Sequence, residues 1–270
     1  SPPSKHMSFL QLPSERPDLQ PSVLFSVGEF PITNVFLMTW LVALVLVSFA
    51  LIVRRRSSVV PSKVQLVAEF FVEGGQNVIH QISGSRHTAR FLLPIIGTLF
   101  LFIITSNLLG LVIPGLGAIL YDGVSIFRTP TTDFNMTIAL ALGMSVLTHV
   151  MSISASGIFV HIGKFIPLDK VVKGFRSGLK DGLMSLVDVF IGFMDIVSEF
   201  ANLVSLSMRL LGNLYAGEVM MGVLYGLFSV FIPSIWFGMS LLSGTVQAIV
   251  FSMLTTVFYS LMVAQRPDDA

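Results

Sequence analysis

One stretch of the chain places an arginine, several acids and amides among residues that are otherwise apolar. Between residues 181 and 230, Arg209 is the only basic residue, and its immediate neighbours are Met208 and Leu210. Arginine does not lose its proton in an apolar environment, and an arginine in mid-membrane costs about 3 to 17 kcal/mol, depending on the reference state. Because intramembrane ionisable residues are usually functional, Arg209 is the first candidate for chemistry.

The polar residues around Arg209 share one side of a predicted helix. At about 100° of rotation per residue, seven of them fall within an arc of about 80°. They are Asp181, Asp188, Asp195, Glu199, Asn202, Arg209 and Asn213. Glu218 lies off this stripe, beyond Arg209 in the chain. The stripe must therefore face other protein or a water-filled cleft rather than lipid.

The charge balance of this stretch points to proton transfer. A polar seam of interhelical hydrogen bonds is common in membrane bundles. It does not explain why residues 181–230 hold five carboxylates and a single cation. Carboxylates in a poorly hydrated cleft can exchange protons near neutral pH. The stretch therefore predicts a proton relay.

A second set of small and polar residues follows on the next predicted helix. Ser240, Ser243, Gly244 and Gln247 stand at i, i+3, i+4 and i+7 and share one face. The small residues predict close packing against the preceding helix. Gln247 can then reach an arginine or a carboxylate on that helix.

The composition excludes a soluble domain and several kinds of site. Of the 270 residues, 53% are apolar and 11% charged, with a mean hydropathy of +0.84, whereas soluble domains have roughly 25% charged residues. The net charge of +1 gives no basic surface for nucleic acid. The absence of cysteine excludes disulfides, thiolate metal sites and cysteine nucleophiles.

Apolar runs of spanning length predict an all-α integral membrane protein with five membrane-embedded helices and one interfacial amphipathic helix. The predicted segments are an irregular external arm at 1–31, the first transmembrane helix at 32–53, a cytoplasmic segment at 54–90 that contains the amphipathic helix, a transmembrane pair at 91–160 with an external loop at 114–133, a basic cytoplasmic loop at 161–180, a helical hairpin at 181–263 and a cytoplasmic tail at 264–270.

The loop charges predict the orientation. Twelve basic residues fall on one side of five alternating helices, and only Lys5, Arg16 and Arg128 fall on the other. By the positive-inside rule, the N-terminus lies outside and the C-terminus lies in the cytoplasm or its organellar equivalent.

Four motifs resemble subunit a of F-type ATP synthases. Residues 205–218, Ser-Leu-Ser-Met-Arg-Leu-Leu-Gly-Asn-Leu-Tyr-Ala-Gly-Glu, resemble the signature of that family. Residues 246–251 resemble the motif of the family's last helix. Residues 128–137 resemble the start of the spanning helix that precedes the hairpin, and residues 106–110 resemble the end of the helix before that one. The resemblance extends from about Val35 to Val263.

The resemblance implies a mechanism. In this family the last two helices form a long, tilted hairpin against a rotating ring of c subunits, and two aqueous half-channels meet the ring on either side of an essential arginine. Arg209 matches that residue, which holds the ring carboxylate ionised and blocks proton leak. The match assigns the outer half-channel to Asn213, Glu218 and Gln247 and the inner one to Asp195 and Glu199. Asp188 and Asn202, which the helical periodicity puts on the same side, form a secondary polar stripe.

Two positions distinguish this chain within the family. Ser240 stands where some bacterial members have a histidine that pairs with the glutamate, so Glu218 is expected to work with water. Many mitochondrial members have histidine at the position of Glu218, which favours a bacterial plasma membrane over a mitochondrial inner or thylakoid membrane. The implied partners are the c-ring, b-type peripheral-stalk subunits and the rest of the synthase. The implied subunit is non-catalytic and has neither a metal nor a cofactor.

Two other functions are weighed against this interpretation. A proton-coupled secondary transporter also uses buried carboxylates and arginine, but such folds usually contain internal repeats, and this sequence has none. A membrane enzyme would need a motif such as His-Glu-x-x-His, which does not occur. His149 and His161 are twelve residues apart and straddle the end of one helix, so their spacing does not predict a joint site.

Overall fold

Apolar helices dominate the computed structural model of the chain. It describes residues 7–9, 21–27, 29–56, 58, 61–115, 119–121, 124–125, 128–158, 161, 163, 179–227 and 231–264. The helices are α1 (Asn34–Arg56), α2 (Lys63–Ser83), α3 (Arg86–Gly115), α4 (Phe134–Ser156), α5 (Leu179–Leu227) and α6 (Phe231–Ala264), with a 3-10 turn, η1 (Pro130–Thr132), before α4.

Five of these helices are long and apolar enough to cross a membrane. The candidate spans are Asn34–Arg56, Arg86–Ile113, Phe134–Ser154, Val187–Met221 and Ser234–Leu261. Large apolar side chains such as Trp40 and Leu44 are exposed on α1, as expected of a surface that faces lipid. The prediction of an all-α integral membrane protein is confirmed.

The helix ends follow from local sequence. Arg54, Arg55 and Arg56 occupy the last turn of α1, where positive charge interacts favourably with the helix dipole. Helix α2 ends at Gly84, which has a φ of 70°. Helix α4 ends before Gly157, which has a φ of 84°. The apolar run had predicted a longer α4, and the left-handed backbone at Gly157 stops it earlier.

Short strands replace part of the irregular arm at 1–31 and part of the external loop at 114–133 that the sequence had predicted. They are β1 (Met7–Phe9), β2 (Val23–Val27), β3 (Phe30–Thr33), β4 (Ile119–Tyr121) and β5 (Val124–Ser125). Strand β1 pairs antiparallel with β4, and β2 pairs antiparallel with β3. Valine and phenylalanine favour extended backbone. These runs are too short to show the alternation of apolar and polar residues that predicts a strand. Most of the predicted basic loop at 161–180 lies outside the described residues.

The chain divides into two compact units. Unit 1 comprises residues 1–137 and 208–254, and unit 2 comprises residues 138–207 and 255–270. In unit 1, α3 packs against α1, α2 and η1, and Met38, Leu92 and Ile103 are buried. In unit 2, Met151 of α4 and Leu206 of α5 are buried.

A glycine near the end of α3 allows the loop before α4 to approach closely in unit 1. A Cβ atom added to Gly110 would lie 2.2 Å from Oγ1 and 2.7 Å from Cβ of Thr129. Both distances are far below van der Waals contact, so any larger residue must displace the Thr129 backbone. Gly110 therefore sets how closely α3 and η1 can pack.

We expect Gly110→Ala to lower the stability of the protein by about 1 to 3 kcal/mol, because overpacking of a tight contact forces the backbone to shift. The matched control is Gly143→Ala, since no atom lies within 4 Å of a Cβ added there. Thermal unfolding of the purified protein in detergent measures both. If Gly110→Ala unfolds at the parental temperature, α3 and the loop are not in this close contact.

Candidate functional site

Arg209 lies on an exposed side of α5. Gly212, Ala216 and Met220 follow it at i+3, i+7 and i+11 and are exposed on the same side. No atom lies within 4 Å of a Cβ added to Gly212. Among the residues that the structure describes, no carboxylate oxygen lies within 4.0 Å of the Arg209 guanidinium. The arginine thus lies on an exposed helix face whose other side chains are small or apolar.

Glu218 pairs with a base that sequence reasoning had counted as a loop charge. Nη2 of Arg128 lies 3.5 Å from Oε2 of Glu218, and the two side chains are 7% and 31% exposed. Both residues belong to unit 1. Two features of the sequence could have indicated this partner. Arg128 is the only basic residue between 114 and 133, and it is the first residue of one of the matched motifs.

Asn213 is held by the face of α6 that the sequence had predicted to pack on α5. The hydroxyl of Ser243 donates to Oδ1 of Asn213 at 2.8 Å. Together with Gly238 and apolar residues of α6, Asn213 and Ser243 line an open cleft. Ser240, one turn earlier, has its Oγ atom 3.4 Å from a Cβ added to Gly217. The predicted close contact between the two helices is confirmed.

An asparagine of α3 joins three elements of unit 1. Asn107 donates through Nδ2 to the carbonyl of Gly244 at 3.0 Å and accepts from the hydroxyl of Thr131 at 2.7 Å. Gln247, one turn beyond Gly244, is 5% exposed. Its Nε2 atom is buried and has no hydrogen-bond partner among the described residues. A buried amide donor of this kind costs about 1 to 3 kcal/mol unless water satisfies it.

Three predicted residues line one cavity of unit 2. Asp195, Glu199 and Asn202 of α5 border a space of about 160 Å³. The rest of its polar lining is Ser198 of α5, Ser145 and Thr148 of α4, Thr255 of α6 and His161. The volume is enough for several water molecules, since one water needs roughly 10 to 15 Å³ of such space. Asp188 is half-buried on α5 and does not border this cavity.

Sequence reasoning missed a chain of polar contacts beside this cavity. Nε2 of His149 lies 2.5 Å from Oε1 of Glu199, and Nδ1 of His149 lies 3.1 Å from Nε2 of His161. Nδ1 of His161 lies 3.1 Å from the hydroxyl oxygen of Ser152. The backbone N–H of His161 donates to the carbonyl of Gly157 at 3.1 Å. The turn at Gly157 thereby brings His161 close to α4.

The predicted residues thus fall into two groups. Arg209, Asn213, Glu218, Ser240 and Gln247 belong to unit 1, whereas Asp188, Asp195, Glu199 and Asn202 belong to unit 2. The side chain of Asp181 lies outside the described residues. Ionisable groups in spanning helices mark ion pathways, so the fold and these groups define an integral membrane protein of the ion-transport class.

Comparisons with known proteins identify the family. The family model described as ATP synthase A chain matches residues 36–260. ATP synthase subunit a of Desulforamulus reducens is 34% identical over 243 residues, which cover 86% of this chain and 80% of that protein. The sodium ion specific ATP synthase subunit a of Propionigenium modestum is 31% identical over 260 residues, covering 94% of this chain and 83% of that protein.

A third relative, ATP synthase subunit a of Enterococcus faecalis, is 28% identical over 249 residues, covering 88% of this chain and 95% of that protein. The chain therefore belongs to the ATP synthase A chain family, a component of the membrane sector of ATP synthase. Membership of this family favours the synthase subunit over the transporter that the sequence had left as an alternative.

Proposed function

We propose that the chain carries protons between the two sides of the membrane and the carboxylates of a rotating c-ring, so that proton motive force drives ATP synthesis. Two half-channels reach the ring, and Arg209 separates them. The chain itself is non-catalytic. The observation that carries the proposal is the exposed position of Arg209 on a helix face whose neighbours are small or apolar.

The surroundings of Arg209 suit a partner that brings its own carboxylate. Small residues such as Gly212 and Ala216 allow another helix to approach closely. An arginine that faced lipid would pay a large desolvation cost, and among the described residues no acid of this chain lies near enough to offset it. A buried carboxylate on each helix of a c-ring supplies the missing partner in turn.

The same charge keeps the two half-channels apart. Two unit charges about 4 Å apart interact by about 4 kcal/mol at an effective dielectric constant of about 20. A barrier of about 4 kcal/mol slows a process roughly a thousandfold. A proton that reaches Arg209 from one side is therefore repelled and binds the ring carboxylate instead.

The outer half-channel contains Glu218, Asn213, Gln247 and Ser240. The buried Arg128 supports this assignment because it provides Glu218 with a cation on the path. The amide of Gln247 supports it as well, since Nε2 is buried without a described partner and is satisfied by water in a hydrated path. Ser240 offers a hydroxyl rather than an imidazole, so water completes the contact to Glu218.

The inner half-channel contains Asp195 and Glu199, with Asp188 and Asn202 as a secondary polar stripe. The cavity bordered by Asp195, Glu199 and Asn202 supports this assignment, because it has room for water beside two carboxylates. The basic residues of segments 54–90 and 161–180 favour a cytoplasmic position for this end of α5. The proposed partners are the c-ring and the b-type peripheral-stalk subunits, and the bacterial relatives favour a bacterial plasma membrane.

Replacing Arg209 tests the proposal directly. We expect Arg209→Ala to abolish ATP-driven proton pumping in the assembled synthase and to open a passive proton leak, because the positive barrier between the half-channels is lost. Quenching of a pH-sensitive dye in reconstituted vesicles measures both effects. Met208→Ala, at the exposed neighbouring residue, is the control and should pump normally. Normal pumping by an assembled Arg209→Ala complex would overturn the proposal.

A second prediction concerns the outer half-channel. Glu218→Gln keeps the size of the side chain but cannot bind and release a proton, so we expect proton flux to fall at least about tenfold while assembly persists. Glu73→Gln, which alters an exposed acid of α2, is the matched control. Proton flux through the complex, normalised to the amount of assembled subunit, gives the comparison. Unchanged flux would remove Glu218 from the path.

A third prediction concerns the transported ion. We expect pumping to proceed at the parental rate in buffers freed of Na⁺, because the proposed path runs through groups that bind and release protons, Glu199 and Glu218. The measurement compares dye quenching with and without added NaCl at constant ionic strength. A requirement for Na⁺ would show that the chain shares the specificity named for the Propionigenium modestum relative.

A further inference from the structure

The polar chain beside Glu199 has the form of a proton wire. Its four groups follow one another without a break: the carboxylate of Glu199, the imidazoles of His149 and His161, and the hydroxyl of Ser152. His161 is 6% exposed and Ser152 is fully buried. An imidazole accepts a proton on one nitrogen and releases one from the other, which suits it to relay protons.

We propose that His149 and His161 extend the inner pathway as a two-imidazole relay that takes protons from Glu199 and returns them to it. This inference rests on the proposed function, because it gives the inner carboxylate its proton acceptor. It adds to that function two residues whose sequence spacing predicted no joint site. Ser152 acts as a positioning residue, since its hydroxyl holds the ring of His161.

The transfer is balanced atom by atom. The protonated carboxyl of Glu199 gives its proton to Nε2 of His149, and His149 gives its Nδ1 proton to Nε2 of His161. His161 then holds the proton as an imidazolium between His149 and Ser152. One proton has left Glu199 and one has been added to His161, with the other atoms unchanged. The same two transfers in reverse return the proton to Glu199 and restore the first tautomers.

The burial of these groups favours a relay over a purely structural contact. Both imidazoles of unit 2 point to each other, their ring centroids lie 5.2 Å apart, and the rings are nearly perpendicular. A single hydrogen bond to Glu199 would suffice to hold α4 against α5. The second histidine adds nothing to that contact, but it adds a second proton-accepting ring beside the cavity that Glu199 also borders. Asp195 is the other acid that borders this cavity.

The test uses the assembled synthase in vesicles and chemical rescue. We expect His149→Ala to slow ATP-driven proton pumping at least about fivefold, and imidazole added to the medium to restore a large part of the rate by occupying the vacated space. His149→Gln offers an amide that can donate to Glu199 but cannot relay, so it should assemble fully and be slow without rescue. His161→Gln should behave like His149→Gln.

His87→Ala is the matched control, because His87 is exposed on α3, and it should pump at the parental rate with or without imidazole. Parental rates in His149→Gln and His161→Gln would overturn the relay. Slow pumping by His149→Ala that imidazole does not raise would assign His149 a structural role and also overturn it. If either result is found while Arg209→Ala does not pump, the relay is overturned and the proposed function stands. If Arg209→Ala pumps normally, the proposed function itself is overturned.

Discussion

The cost of holding ionised groups where water is scarce constrains the whole structure. A charge inside a membrane must be paired, hydrated or neutralised, and the two ion pairs of the described residues meet this need inside the protein. Glu218 lies beside Arg128, and Glu199 lies beside His149. Arg209, in the middle of a candidate span, is exposed, and no described acid lies within 4.0 Å of it. Two carboxylates of the spans therefore have a basic group beside them within the chain, whereas the cation of Arg209 has no described acid beside it.

Much of the fold could be predicted because hydropathy and length are strong signals for membrane helices. The five spans and the close contact of α5 with α6 follow from apolar runs and from small residues at helical spacing. The short strands near the N-terminus could not be predicted, since runs such as Val23–Val27 are too short to distinguish from irregular apolar segments. The end of α4 required knowing that Gly157 adopts a left-handed backbone, which the run of apolar residues conceals.

The candidate site was predictable only where it follows one helix. Asp195, Glu199 and Asn202 share a face of α5, and this periodicity is visible in the sequence. The partners of these residues come from other elements, and no periodicity joins them. Arg128 reaches Glu218 across 90 residues, and His161 reaches His149 only because the chain turns at Gly157. The charges that complete the site depend on tertiary contacts and therefore escaped the sequence.

The polar stripe of α5 looks continuous in sequence, yet a continuous proton path would defeat the proposed function. A proton that crosses the membrane directly dissipates about 2.3 kcal/mol for each 100 mV of potential. Rotation captures that free energy only if the proton must leave the chain and travel on the ring. Such coupling requires polar groups on both sides of one fixed positive charge. Asp188, Asp195 and Glu199 precede Arg209 on α5 and Glu218 follows it, an order that suits two half-paths rather than one.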